Sequence, residues 1–324
     1  MIVDLTDTTA AAIASALVQA RHSAGVPAVG MVMTLVIVTD ERDHYDALRA
    51  ALDAAREHPS RILVTILRPG KMKARLDAEV RFLGDSGPGE TVVMRMHGEL
   101  ADHAESVLVP LLLPDAPVVV WWPGHCPQVP ARDPVGALAQ RRITDAASSG
   151  NASQELVRRS KGYHPGDTDL AWTRVTQWRT LLAATLDVPF GTITSGSVAC
   201  EPGSPSADLL ATWLESRLGA SIERVVSDGP GITGVTLRSD AGEISVARPD
   251  GRIAQLMRPG QPERQVSLVQ RETAEIIAEE MRRLDPDVVY GEVVGQLTGT
   301  TEALPVLPGE PDPVSGLTGA ADAE

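Results

Sequence analysis

Three stretches of the chain, Met31 to Thr39, Ile62 to Leu67 and Val118 to Trp122, are nearly uninterrupted apolar runs. Successive residues of a strand point to opposite faces, so a strand that is apolar throughout needs cover on both faces. That is the environment of a parallel sheet held between layers of helix. The segments between the runs supply such helices. Thr6 or Asp7 is placed to cap a helix with Ala10, Ile13, Leu17 and Ala20 on one face, stopped by Gly25. Asp40 is placed to cap the next, with Tyr45, Leu48, Leu52 and Ala55 on one face and Pro59 ending it. Leu76 to Leu83 and Thr91 to Met96 read as strands separated by a long turn, Gly84 to Gly89. A short helix follows from Leu100, and Asp133 with Pro134 opens another. Residues 1–147 therefore predict a layered α/β domain with a mixed sheet.

Residues 148–166 are polar and contain Gly and Ser, which suits a linker or crossover. A long helix is expected from Asp169 to Leu186, presenting Ala171, Val175, Trp178 and Leu182 on one side. Ser204 and Pro205 start another, closed by Gly219. The pattern then changes. Short β-type runs at 222–226, 232–238, 243–248 and 252–257 are punctuated by Gly-containing turns, which predicts an antiparallel meander. Ser267 and Gln270 have capping-box spacing ahead of a helix carrying Val269, Ile276, Ile277, Met281 and Leu284. Asp285-Pro286 opens a last helix to Leu297, so 167–297 reads as an α+β domain. From Thr298 to Glu324 there are four prolines and five acids, with no Lys, Arg or aromatic residue; such a composition predicts a disordered tail.

Charge excludes some partners. The formal net charge is −14, and the body without the tail still carries −9. Neither a nucleic-acid groove nor an anionic membrane surface is expected, because both need a basic footprint. The most apolar region, Val107 to Pro123, holds Asp115 and four prolines and is unsuited to a spanning helix. Cys126 and Cys200 lie 74 positions apart, which is no metal-ligand or disulfide framework. A cytoplasmic location is expected from this cysteine usage and from Asp4 and Asp7 in a first segment without basic residues at its start.

Motifs for chemistry are missing. No G-x-G-x-x-G, Walker loop, H-E-x-x-H or G-x-S-x-G is present. The turn Val38-Thr39-Asp40-Glu41 does lead from an apolar strand into a helix, but it has no glycine and two acids, which would repel a pyrophosphate. No cofactor, metal ion or catalytic residue is assigned. His125-Cys126 is a plain loop between two prolines. The residues open to a binding role each have a structural alternative. His58 and Arg61 suit an anion or a carboxylate, or else a helix end and a strand edge. Trp121 and Trp122 end a strand, so one ring enters the core and the other anchors a partner unless helices cover both faces. Arg141 and Arg142 read as a helix end or a basic contact. Asp167 and Asp169 read as helix-start acids. Trp172 and Trp178, six apart, cannot share one face of a continuous helix, so one is expected in the core and the other at a surface or in an inter-domain contact. Arg179 completes that group.

Taken together, certain strings resemble the glucose-6-phosphate dehydrogenase assembly protein (OpcA) family. They are Met1-Ile2-Val3-Asp4-Leu5, Arg56-Glu57-His58-Pro59-Ser60-Arg61, Trp121-Trp122-Pro123, Arg141-Arg142-Ile143-Thr144-Asp145, and Gly166-Asp167-Thr168-Asp169-Leu170-Ala171-Trp172 with Trp178-Arg179, followed by Arg282-Arg283-Leu284-Asp285. The likeness runs from Met1 to Leu297 and leaves out the tail. It implies a non-catalytic protein that binds glucose-6-phosphate dehydrogenase and promotes its assembly or active state. It carries over no catalytic residue. The contact residues expected are His58, Arg61, Trp121, Trp122, Arg141, Arg142, Asp167, Asp169, Trp172, Trp178 and Arg179. The competing expectation is a sugar-phosphate-binding enzyme or sensor built on the α/β domain.

Overall fold

A computed structural model describes residues 1–24, 30–82, 90–187 and 191–298. The expected stop at Gly25, the turn Gly84 to Gly89 and the tail after Thr298 lie outside the described residues. The apolar runs form the middle of an eight-stranded mixed sheet. Its order is β1 (Ile2–Leu5), β4 (Arg75–Phe82), β5 (Glu90–His97), β3 (Ser60–Arg68), β2 (Met33–Thr39), β6 (Val118–Trp122), β7 (Arg141–Thr144) and β8 (Asp167–Asp169). From β5 to β8 neighbours are parallel, while β4 runs antiparallel to β5 and β1. Both faces are covered. Val36, Val38, Leu63, Met94, Val120 and Trp122 share one core with Ile13 and Leu17 of α1 (Ala10–Ala24) and Val107 and Leu108 of α3 (Ala104–Leu108). Leu35, Ile37, Ile62, Val64, Val119 and Trp121 share the other with α2 (His44–Ala54) and with Ile276, Ile277 and Met281 of α8 (Thr273–Arg282). Each fully buried aliphatic side chain contributes about 1.5–3 kcal/mol through water exclusion. Helix α8, more than 200 residues along the chain from β2, therefore belongs to the first sheet's core.

Several local expectations change. Helix α1 is capped by Thr9, whose Oγ1 accepts the Ala12 N–H at 3.2 Å, rather than by Thr6 or Asp7. Asp40 uses its carboxylate in a tight turn before α2, so that helix starts at His44 and its phase moves. The buried face is His44, Ala47, Leu48, Ala51 and Ala54, and Tyr45 is 66% exposed. Asp133 turns only one 3₁₀ segment, Gly136–Leu138, not a full helix. Arg141–Thr144 is a fully buried strand rather than a helix end. Residues Ala152–Ser160 form a helix, α4, on the crossover from β7 to the parallel β8. The long helix expected from Asp169 is β8 followed by α5 (Leu170–Arg174) and α6 (Thr176–Leu186), broken at Val175.

The second sheet has the order β10 (Ser221–Val226), β9 (Ile193–Cys200), β11 (Ile232–Ser239), β12 (Gly242–Ala247), β13 (Ile253–Met257) and β14 (Arg264–Ser267). β11 to β14 form the meander, antiparallel throughout. β10 instead pairs parallel with β9, connected by α7 (Pro205–Leu218). Ser204 caps α7 and Gly219 closes it with φ 63°, both as expected. Ser267 lies in β14, so the capping box of α8 is Glu272 with Glu275, and Val269 is half exposed. Asp287, not Asp285, caps α9 (Val288–Leu297) through the Tyr290 N–H. The inner face of this sheet, with Val198, Ile222, Val235, Leu237 and Val246, packs with α4 to α7 and α9 into one core.

Candidate functional site

Most of the residues singled out in the sequence converge, but inside the protein. Arg141 pairs with Glu280 of α8 and donates to the Asp285 carbonyl at 3.1 Å; Glu280 also accepts from the Thr173 hydroxyl at 2.6 Å. Arg142 pairs with Asp167 and donates to the carbonyls of Ala139 and Pro165. Asp167 also accepts the His164 N–H at 2.8 Å. Asp169 is wholly buried and accepts from Thr144 Oγ1, from the Ala146 and Ala171 amides, and from Arg159 at 3.0 Å. Arg174 grips Asp145 with two 2.7 Å bonds. These groups line the seam where β7 and β8 meet the helices of the second sheet. They hold it together, because a buried charge is tolerated only when paired and hydrogen-bonded.

The tryptophans join the same interior. Trp172 and Trp178 are 1% and 2% exposed, so both are core. The expectation that only one ring is core, the other lying at a surface or an inter-domain contact, assumed one straight helix, and the break at Val175 removes that assumption. Trp172 donates from Nε1 to Asp287 at 2.8 Å, and the Arg179 guanidinium stacks 3.6 Å from its ring centre. Burial holds the Arg179 pKa below its usual value against the pull of Asp287, Glu279 and Glu280. Trp121 and Trp122 face opposite cores and are each 2% exposed. Arg61 is buried on Glu90 at 2.6 Å and donates to the Leu111 carbonyl at 2.6 Å; Arg21 reaches the same Glu90. His58 is half-buried at the end of the α2 segment, its N–H on the Ala54 carbonyl. Its Nε2 is buried without a hydrogen-bond partner, while Glu90 is bonded by Arg61 and Arg21.

The carboxyl ends of β2 and β6, where the strand order reverses, are the place an open α/β sheet offers a ligand. A crevice of about 680 Å³ opens there, lined by Asp43, Asp46, Asp53, Asp145 and Glu272, with Arg49 as its cation. A second, about 400 Å³, opens on the opposite face beside Asp102, Glu105, His125 and Asp133. The amides that would receive a phosphate are already taken: Asp40 Oδ1 accepts the N–H of Arg42 at 2.8 Å and of Asp43 at 3.1 Å. Cys126 is 2% exposed, and burial pushes its thiol up to about 11, so it is no nucleophile. Among the described residues no His, Cys, Asp and Glu cluster is arranged to hold a metal ion.

One broad surface remains. The outer face of the second sheet carries rows set by strand register: Glu223, Ser197, Thr236, Ser245 and Met257 in one, and Val225, Ala199, Gly234, Ala247 and Gln255 in the next. Its side chains are small at the centre, with Val225, Ile253 and Met257 exposed at the rim. Nothing in the sequence reading pointed here. The available signal was the central outward positions of β9, β11 and β12, Ser197, Ala199, Gly234, Thr236, Ser245 and Ala247, which are small, with charge only at the end of the rows in the Arg238–Glu243 pair.

Two family models match this chain. The model of the glucose-6-phosphate dehydrogenase subunit N-terminal domain matches residues 51–161, and that of the subunit's C-terminal domain matches 165–294. No protein of curated function matches in sequence. Among solved structures, KijD10, a 3-ketoreductase from Actinomadura kijaniata, is similar at 11% identity over 82% of this chain and 95% of that one, with a TM-score of 0.45. The dehydrogenase MviM from Clostridium difficile is similar at 6% identity over 82% of this chain and 96% of that one, with a TM-score of 0.43. The buried strings 141–145 and 166–172 fall inside the matched spans, and the two matches together cover most of the described chain. The chain belongs to the glucose-6-phosphate dehydrogenase assembly protein (OpcA) family.

Proposed function

We propose that this protein is a non-catalytic cytoplasmic subunit that binds glucose-6-phosphate dehydrogenase and promotes its assembly or active state. The observation that carries the reading is the open face of the six-stranded sheet. Its central rows, Ser197, Thr236 and Ser245 beside Ala199, Gly234 and Ala247, are small and partly exposed, so another protein's side chains can approach the sheet closely there. The sequence-singled residues support the reading indirectly. Arg141, Arg142, Asp167, Asp169, Trp172, Trp178 and Arg179 hold the sheet against the first domain, so the face is presented in one orientation. Arg61, Trp121 and Trp122 stabilise the first sheet, and His58 closes the α2 segment. Acid-lined crevices disfavour the sugar-phosphate reading on the α/β domain, since their carboxylates repel a phosphate.

The test is co-purification with the dehydrogenase. Ser245→Arg and Ala247→Arg add bulk and charge to the centre of the face, at partly exposed positions beside the exposed Met257 and Gln255. Both variants are expected to keep the parent melting temperature and to lose the complex. Retained binding in both would remove this surface from the interaction.

A further inference from the structure

Two features sit side by side at the carboxyl end of the first sheet. One is a knob. The loop from β3 to β4, residues 69–75, is exposed throughout and carries Lys71-Met72-Lys73, with two of the three lysines in the chain. Met72 is 61% exposed. Among the described residues neither lysine forms an ion pair, whereas the flanking Arg68 and Arg75 are matched by Glu41 and Asp77. The Met72 backbone packs directly on Gly98, at φ 62°, where a Cβ would come within 2.1 Å of the Met72 carbonyl oxygen. The other feature is a hole. The crevice of about 400 Å³ has apolar walls from Val38, Leu67, Ala101, Ala104, Trp122 and Val135. Its acids are Asp102, Glu105 and Asp133, and no described Arg or Lys lines it. The 3₁₀ segment Gly98–His103 joins knob and hole, since it abuts the loop at Gly98 and supplies Ala101 and Asp102 to the crevice.

The two features are chemical complements. A methionine is unbranched and adapts to an irregular apolar cavity, and lysine stems lie along apolar surface while their ammonium groups reach its rim. An apolar crevice bearing three acids suits a Lys-Met-Lys tip. A knob and a matching hole on one surface are self-complementary across a two-fold axis. The axis brings each copy's loop to the other copy's crevice, so both contacts form at once and the assembly closes at two. The net charge of −14 opposes self-association elsewhere on the surface, and a cationic tip facing acids reverses that repulsion locally. We propose that the Lys71-Met72-Lys73 loop docks into the crevice of Asp102, Glu105 and Asp133 on a second copy of this chain, forming a two-fold dimer. Burial of Met72 supplies the attraction, and the charges set the register. The inference does not depend on the subunit reading. Its contact lies on the first sheet, the dehydrogenase surface proposed above lies on the second, and its test contains no dehydrogenase.

The experiment is sedimentation equilibrium of the full chain from about 1 to about 100 μM, since a contact of this size is expected to hold with micromolar affinity. The parent is expected to dimerise. Lys71→Glu/Lys73→Glu, at exposed positions, and Asp102→Lys/Glu105→Lys, at the crevice, are each expected to keep the parent melting temperature. Each is expected to raise the dissociation constant about a hundredfold or more, because like charges then meet in both contacts. An equimolar mixture of the two variants brings opposite charges together again in both contacts, and is expected to recover a dimer within about tenfold of the parent. Should the crevice variant fold poorly, Asp102→Lys alone, at an exposed position, takes its place. A parent that is monomeric throughout, a reversal that leaves the dimer intact, or a mixture that stays monomeric would each overturn the proposal. A dimer abolished instead by Ala247→Arg would put the self-contact on the outer face of the second sheet and would overturn it too.

Discussion

Asp169 concentrates the residue-scale chemistry of this protein. Its carboxylate satisfies two backbone amides, one hydroxyl and one guanidinium in a site with no access to water. Removing one partner of such a set leaves the others buried and unpaired. Asp169→Ala is expected to lower unfolding free energy by about 3–5 kcal/mol in denaturant titration. A loss under 1 kcal/mol would show the network to be dispensable. Glu155 titrates in a predictable direction. Its hydrogen bond to Arg158, opposed by burial and reinforced by Arg159, lowers its pKa from about 4.5 to about 2. A depressed carboxylate contributes stability that is present above its unfolded pKa and is lost as pH falls from about 4.5 to about 2. The Glu155→Gln variant should flatten stability against pH in that window, and an unchanged slope would assign the acid sensitivity elsewhere. The thiols behave alike: Cys126 and Cys200 are both buried and both raised by burial, so neither should react with an aromatic disulfide reagent at pH 8 until the protein unfolds.

At the scale of elements, helix ends are decided by backbone groups that need partners. Gly219 ends α7 at φ 63°, and a Cβ there would meet nothing within 4 Å. The cost of Gly219→Ala is therefore conformational alone. It should be about 1 kcal/mol in chemical denaturation, and a cost well above 2 kcal/mol would imply a clash that the geometry does not contain. The same logic explains the misplaced caps. Ser267 and Gln270 have capping-box spacing, but Ser267 is hydrogen-bonded into β14, so the helix begins only where Glu272 and Glu275 can exchange bonds with each other's backbone. The strand Arg141–Thr144 was hidden because two arginines lead it. Their charges are matched by Glu280 and Asp167, one 139 residues away in sequence, which no local pattern reveals.

For the whole molecule, the partner reading makes an equilibrium prediction. If this subunit raises the dehydrogenase's affinity for glucose 6-phosphate tenfold, linkage requires glucose 6-phosphate to tighten the protein–protein complex by the same factor, about 1.4 kcal/mol. Calorimetry of complex formation with and without the sugar phosphate checks it. An unchanged dissociation constant would confine any activation to turnover or oligomer stability, since reciprocity holds for binding free energies only.

Hydrophobic period and turn chemistry made the architecture legible. The apolar runs at β2, β3 and β6 needed two-sided cover wherever they ended up, and Gly-containing turns between short alternating runs allow little except a meander. The empty motif search and the acidic turn at Asp40 were equally local, because a phosphate site needs particular residues at adjacent positions. What the sequence by itself left open was which polar residues face solvent. Trp121, Arg141, Arg142, Asp167 and Trp172 have surface-anchor chemistry, yet each is buried once α8 closes over one face of the first sheet and the helices of the second sheet close over β7 and β8, and Trp122 is buried on the other face among Val120, Cys126, Val135 and Ala139. Burial of a charge depends on a partner brought in from a distant segment, as Glu280 is brought to Arg141. Exposure of the outer sheet face depends on no segment covering it. Both are properties of the tertiary arrangement, because they are set by contacts between residues that sequence order does not bring together.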